Sequence, residues 1–264
     1  MRKRSHRVAC FTILDVARRN LPRQQTASDW LRDSLRHRGW RGSLRFYGRE
    51  LVDLLRDLTP ERRRSRYGEV DFDFEHHVDT TWANVSLRTR FREWLSGGQY
   101  QPSEPELFRK MLEGLPVAAE GFTFVDLGSG KGRTLLLASD YPFRRIVGIE
   151  LLDELNRIAV QNIAHYRSDR QKCFAIESYA GDARDFEFPA EPMVLYLFNP
   201  FPRHVWREVL IKLQHSLMTN PRRAYLIYHN PVQEDILAAQ RWLREIQRTH
   251  QYVVYEGSCE GASP

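Results

Sequence analysis

The stretch Val125-Asp126-Leu127-Gly128-Ser129-Gly130-Lys131-Gly132-Arg133-Thr134 sets three glycines and a lysine directly behind an apolar run. Glycines at the end of a strand let backbone N–H groups wrap closely around a ligand, and a lysine among them suggests phosphate. The spacing excludes the phosphate-binding loop of nucleotide hydrolases. Aligning Lys131 with its lysine puts Val125 where the first glycine belongs and Gly132 where a magnesium-binding hydroxyl is needed. A dinucleotide fingerprint, Gly-x-Gly-x-x-Gly, fails as well, because the order is Gly128-Ser129-Gly130-Lys131-Gly132. Asp126 adds a charge argument, since a carboxylate just before the loop repels a pyrophosphate and favours a ligand with a positive centre. Lys131 itself is expected in the first helical turn, facing solvent or a ligand carboxylate.

Further acids stand at regular intervals behind short apolar runs. Glu150 lies 20 residues beyond Gly130 and ends the second run, where a carboxylate can accept both hydroxyls of a ribose. Asp182-Ala183 follows the third run, with the aspartate placed to accept from an adenine amino group, and Asn199-Pro200-Phe201 ends the fourth. A sulfonium, an amino-acid head and a nucleoside without phosphate, as in S-adenosyl-L-methionine, match this set.

Residues 122–200 resemble the core of the class I S-adenosylmethionine-dependent methyltransferases, with "VDLGSGKGR", "VGIE" and "GDA" as the three motifs. The resemblance extends over about 120–257. It implies that Asp126, Gly128, Ser129 and Gly130 line the methionine and sugar, that Glu150 holds the ribose, and that Asp182 with Ala183 reads the adenine. The family's sheet usually closes with an antiparallel hairpin. Only "YVVYEG" reads as a strand after the last helix here, so a trimmed edge is expected. The segment "YQPSEPELFRKML" is also similar to one in the protein-lysine methyltransferases built on this fold, which implies that Tyr100, Gln101 and Ser103 touch the cofactor. Ser103 and Glu106 equally have capping-box spacing, and one serine can serve both purposes.

The elements that must position these groups follow from hydrophobic rhythm. After residue 120, apolar runs at 122–127, 145–150, 173–179, 193–198 and 224–229 alternate with helical patterns at 132–140, 152–167, 203–219 and 234–250. The expected fold is α/β: a doubly wound, Rossmann-like, mostly parallel sheet with helices on both faces, preceded by a helical N-terminal extension. Residues 1–98 form the extension, a lid or substrate-recognition part, and 99–264 the cofactor-binding core. Within the extension, "EVDFDFEHHVDTTWANVS" lacks helical periodicity and reads as a loop, and "SLRTRFREWLSG" reads as a helix.

Acceptor chemistry is less sharply written. Asn199-Pro200-Phe201 resembles the signature with which amino-group methyltransferases hold a target nitrogen, although its second proline is absent. An ordinary strand-to-helix turn explains the same residues. Asn199 is therefore a candidate both for catalysis and for cofactor contact. His229, after the fifth strand, is the second candidate, as a base. His76-His77 has no third ligand at metal spacing, so no metal is expected.

The 264 residues carry a net charge of +6 and three cysteines without CxxC spacing, which excludes a disulfide framework or a zinc ribbon. Residues 1–70 hold 18 Lys or Arg against 8 Asp or Glu, a net +10 that leaves −4 for the remainder. A solvated helical face explains this excess, as does an anionic partner such as nucleic acid. No stretch approaches the roughly 18 apolar residues of a membrane span. The basic start followed by "VACFTIL" is broken by Asp15, so an amphipathic helix and a cytoplasmic protein are expected. N-methylation of a protein side chain or small molecule is the leading expectation. An RNA or DNA methyltransferase anchored by its arginines and a non-catalytic cofactor- or partner-binding module are the alternatives.

Overall fold

The computed structural model describes residues 70–81 and 101–257, with short pieces at 35–36, 39–42, 85–86, 89–90 and 92. Most of the basic extension, including most of the helix expected over "SLRTRFREWLSG", lies outside the described residues, as does Tyr100.

The described chain runs α1 (Val70–His76), α2 (Pro105–Glu113), β1 (Thr123–Leu127), α3 (Arg133–Ala138), β2 (Arg145–Glu150), α4 (Asp153–His165), β3 (Ile176–Ala180), β4 (Met193–Phe198), α5 (Arg203–Thr219), β5 (Ala224–His229), α6 (Glu234–Ala238), β6 (Leu243–Arg248) and β7 (Tyr252–Gly257). The strands form one sheet in the order β3-β2-β1-β4-β5-β7-β6. β1 to β5 are parallel, and β7 runs antiparallel to both β5 and β6. This is the doubly wound α/β architecture expected from the sequence.

Both faces are buried, as a parallel sheet with crossover helices requires. On one face, Phe124, Tyr196, Tyr225, Ile227 and Val254 pack with α2 and α3 through Phe108, Met111 and Leu135. On the other, Val125, Leu127, Leu195, Leu197, Leu226 and Tyr255 pack against α5 through Trp206, Val209, Leu210 and Leu213. Successive strand residues alternate between these cores, so residue parity decides which face a polar side chain joins. By that parity Asp126, Tyr196 and His229 share the face of α2 and α3.

Three expectations need correction. The sheet edge is not trimmed, because residues read as one helix over 234–250 split into α6 and the strand β6. Leu243 belongs to one core and Ile246 packs on the other, three residues apart, which imitates helical spacing. The β6–β7 ladder shifts between Glu245 and Gln247, and this bulge removes the strict alternation that marks a strand. The acidic stretch read as a loop begins with helix α1, whose Asp73 accepts from the backbone N–H groups of Thr80 and Thr81 at 2.7 and 2.9 Å. The expected capping box does not form either. Glu104 is the N-cap of α2 and makes no side-chain capping bond, while Ser103 Oγ lies 2.7 Å from the Tyr196 hydroxyl.

Candidate functional site

Parallel strands bring all their carboxyl ends to one edge, and the crossovers diverge on either side of the β1–β4 pair. In sheets of this kind ligands bind in the crevice at that divergence, which places the candidate site between the loop after β1 and the loop after β4. Gly128 marks its floor, where it adopts φ +91° and where an added Cβ would stand 2.8 Å from Cβ of Pro200. Gly148 on β2 makes room in the same way, since a Cβ there would lie 2.7 Å from Ser129 Oγ. Ser129 Oγ is buried and has no hydrogen-bond partner.

Two carboxylates dominate this end. Asp126, only 2% exposed, accepts from the Thr134 hydroxyl. Burial pushes it up to about 7, against the stabilising Thr134 bond and with added repulsion from Glu150. Glu150 accepts from the backbone N–H of Gly130 and of Leu152, each at 2.9 Å, so one oxygen ties the β1 loop and the other the start of α4. Burial raises this group too, while those N–H bonds favour its charge. Among the described residues, no lysine or arginine pairs with Asp126 or Glu150.

The nearby cations are turned elsewhere. Lys131 is fully buried, and its Nζ donates to Asp79 Oδ1 and to the Thr81 carbonyl, both at 2.6 Å. This corrects the expectation that it faces solvent or a ligand carboxylate. Arg133 donates from Nε to Thr80 Oγ1 at 2.6 Å and from Nη2 to Asp73 Oδ1 at 3.2 Å, with its guanidinium over the Phe72 ring. Asn162 on α4 joins the same junction. Its amide accepts from Asp79 N–H and donates to the carbonyls of Asp79 and Lys131 at 2.8 and 2.9 Å. Residues 70–81 therefore form a strap clamped over the outside of the glycine loop by the loop's own cations.

Asp182 stands beyond β3, at the same edge. It caps the short 3₁₀ turn Ala183–Asp185 by accepting from Arg184 N–H, and its carboxylate is gripped by Nε and Nη2 of Arg184 at 3.1 and 2.9 Å. Its oxygens are thus shared with a guanidinium before any amino group arrives, and Ala183 is buried in the α5-side core.

At the β4–β5 end the buried polar groups are neutral, and the ion pair Arg203–Asp235 lies exposed beyond them. Asn199 adopts φ +41°, and its Oδ1 accepts from the Tyr228 hydroxyl at 3.1 Å. Gln233 donates to that same hydroxyl oxygen and to the Phe201 carbonyl. His229 stacks on Phe198 with centroids 3.8 Å apart, and its Nδ1 lies 2.7 Å from the Tyr196 hydroxyl. Burial lowers its pKa to about 4, which leaves a feeble base at neutral pH. Asp126, Gly128, Ser129, Gly130, Glu150, Asp182, Ala183, Asn199 and His229 stand at or just beyond the carboxyl ends of β1 to β5, Ser103 is tied to Tyr196, and Gln101 is exposed. His76, on α1, packs against Phe72 and Tyr166. Among the described residues no cluster with metal-binding composition occurs.

Tyr196, Thr134 and Tyr228 were not singled out in the sequence. A hydroxyl-bearing tyrosine within the otherwise apolar "MVLYLF" was the available signal, since a buried phenol demands a partner.

No family model matches the chain, and no curated protein matches it. Solved structures with a similar fold include an RNA methyltransferase from Salinibacter ruber in complex with S-adenosyl-L-homocysteine. It is 20% identical, with 62% of this chain and 96% of that one covered and a TM-score of 0.39. A TehB-like SAM-dependent methyltransferase from Corynebacterium glutamicum is 17% identical, over 65% of this chain and 95% of its own, at a TM-score of 0.41. A predicted N6-adenine-specific DNA methylase from Listeria monocytogenes is 13% identical, over 59% of this chain and 51% of its own, at a TM-score of 0.44. At such identities and scores the likeness assigns neither residues nor substrate, and the chemistry of the crevice stands on its own geometry.

Proposed function

We propose that this chain is an S-adenosyl-L-methionine-dependent methyltransferase that transfers the methyl group to nitrogen on a protein side chain or a small molecule. One observation carries the reading. Two buried carboxylates border a glycine loop whose own lysine and arginine are committed to a different segment. A phosphate arriving there would meet net negative charge at short range, whereas a ligand with sulfonium and ammonium groups would be attracted.

The residues fit that ligand in kind as well as in charge. Glu150 holds each of its oxygens with one backbone N–H and keeps acceptor capacity for two ribose hydroxyls. Ser129 Oγ, buried without a partner, is a hydroxyl in want of a ligand atom. Asp126 supplies charge for the amino-acid end. Asp182, held by Arg184, stands beyond β3 where an adenine amino group would approach.

The cofactor supplies a methyl group activated by its positive sulfur. Of the chain, the reaction asks for alignment and exclusion of water more than for proton transfer. Pro200 against Gly128 closes the floor of the crevice, and Asn199 sets the entry of α5 beside it. A calorimetric titration of the full chain should show binding of S-adenosyl-L-methionine and none of ATP. The reverse, or no binding at millimolar cofactor, overturns the reading. Incubation with methyl-labelled cofactor and fractionated lysate then identifies the acceptor. Label in protein or small molecules is expected, and label in nucleic acid would transfer the assignment to an RNA or DNA substrate.

A further inference from the structure

Ser103, Tyr196 and His229 form a buried chain of hydrogen bonds across the crevice-side face of the sheet, linking the segment before α2 to the ends of β4 and β5. Tyr196 is 1% exposed, so its hydroxyl has only these two partners to satisfy it. The phenol is the strongest neutral donor of the three groups, and the imidazole nitrogen is the strongest acceptor. The consistent arrangement therefore runs from Ser103 O–H to the Tyr196 oxygen, and from Tyr196 O–H to His229 Nδ1.

Full burial, with Asp126 alongside adding to it, keeps the Tyr196 phenol protonated with a hydrogen to give. A neutral imidazole that accepts at Nδ1 must carry its own proton on Nε2. His229 Nε2 has no partner among the described residues and is not fully buried, so it meets solvent at the 7% of His229 left exposed. The Phe198 ring lies flat against the imidazole and fixes its plane.

We propose that His229 is a specificity-determining residue whose outward Nε2–H donates to a carbonyl or carboxylate oxygen of the methyl acceptor, close to the nitrogen that receives the methyl. This rests on the methyltransferase reading for the role of the crevice, but not for the proton arrangement. An amide or an amino acid carries such an oxygen next to nitrogen, and a bare alkylamine does not. The expectation of His229 as a base is thereby replaced, since the nitrogen with a free lone pair is the one already engaged by Tyr196.

The test is imidazole-selective ¹⁵N NMR on the full chain loaded with S-adenosylhomocysteine, with His229→Phe to assign the signal. His229 should carry its proton on Nε2 at neutral pH, and Tyr196→Phe should admit the other tautomer. Acetamide should shift the Nε2–H resonance, and methylamine at the same concentration should not. A proton on Nδ1 in the unmodified chain, a response to methylamine alone, or no response to acetamide would each overturn the proposal. Failure of the chain to bind S-adenosylhomocysteine would refute the function instead, and the tautomer measured without ligand would still decide the proton arrangement. Ser103→Ala should weaken the relay without freeing Nδ1, because the Tyr196 hydroxyl keeps its acceptor.

Discussion

The two ends of the crevice differ in electrical character. At β1–β2, two buried acids sit without a cation among the described residues, and the polar contacts of the loop run through backbone N–H groups. At β4–β5, Asn199, Tyr228, Tyr196 and His229 form neutral hydrogen bonds. Buried uncompensated charge is costly, so it persists where a ligand of opposite charge repays it. Neutral networks cost little and suit recognition of a neutral acceptor. Under the proposed function, the difference would place the cationic cofactor at the first end and its methyl acceptor at the second.

The strongest way to break that division is at Glu150. Glu150→Ala removes the proposed acceptor for both ribose hydroxyls and leaves two backbone N–H groups without their partner. With charge-assisted hydrogen bonds worth about 1.5–3 kcal/mol each, cofactor affinity should fall by about 100-fold or more in a calorimetric titration. Unchanged affinity would erase the distinction between the ends. Gly128→Ala tests the floor they share. A methyl group at φ +91° and 2.8 Å from Pro200 should cost about 1–3 kcal/mol in denaturant unfolding, because one loop must move away from the other.

Lys131→Met asks whether the acidic end is kept free of cations by the strap. The variant loses a buried ion pair to a partly exposed partner, with side-chain exposures of 0% and 32%. It should lose about 1–2 kcal/mol of stability and expose residues 70–81 to limited proteolysis, while the cofactor still binds. A loss of cofactor affinity equal to that of Glu150→Ala would mean that Lys131 serves the ligand directly.

A pH dependence should also be confined to the first end. Burial raises Asp126 to about 7, so below that value the unliganded chain holds a proton that a cationic ligand must expel. Cofactor affinity should then rise by up to about tenfold per unit as pH increases towards 7, and level off above it. Asp126→Asn should flatten the profile. His229, with a pKa near 4, should contribute no step between pH 6 and 8.

The parallel strands, the glycine loop and the acids at their ends were legible because each is a local pattern. An apolar run of five or six residues, a turn that needs glycine and a carboxylate at a fixed distance all fit within one βα unit. The strand β6 was not legible, since its apolar residues serve opposite cores across a bulge. The strap was hidden for a related reason. Asp73 and Asp79 look like a solvated acidic run until Lys131 and Arg133, more than fifty positions along, are brought against them.

The sequence by itself determined the class of fold and the acidic, glycine-lined character of the first strand's loop, because strand period, turn chemistry and charge are properties of neighbouring residues. Only the tertiary structure decided where Lys131 points, that Ser103 binds Tyr196 instead of capping α2, that Arg184 shares Asp182, and which nitrogen of His229 faces outwards. Those outcomes depend on which donors and acceptors burial forces together, and burial couples residues without regard to their separation along the chain.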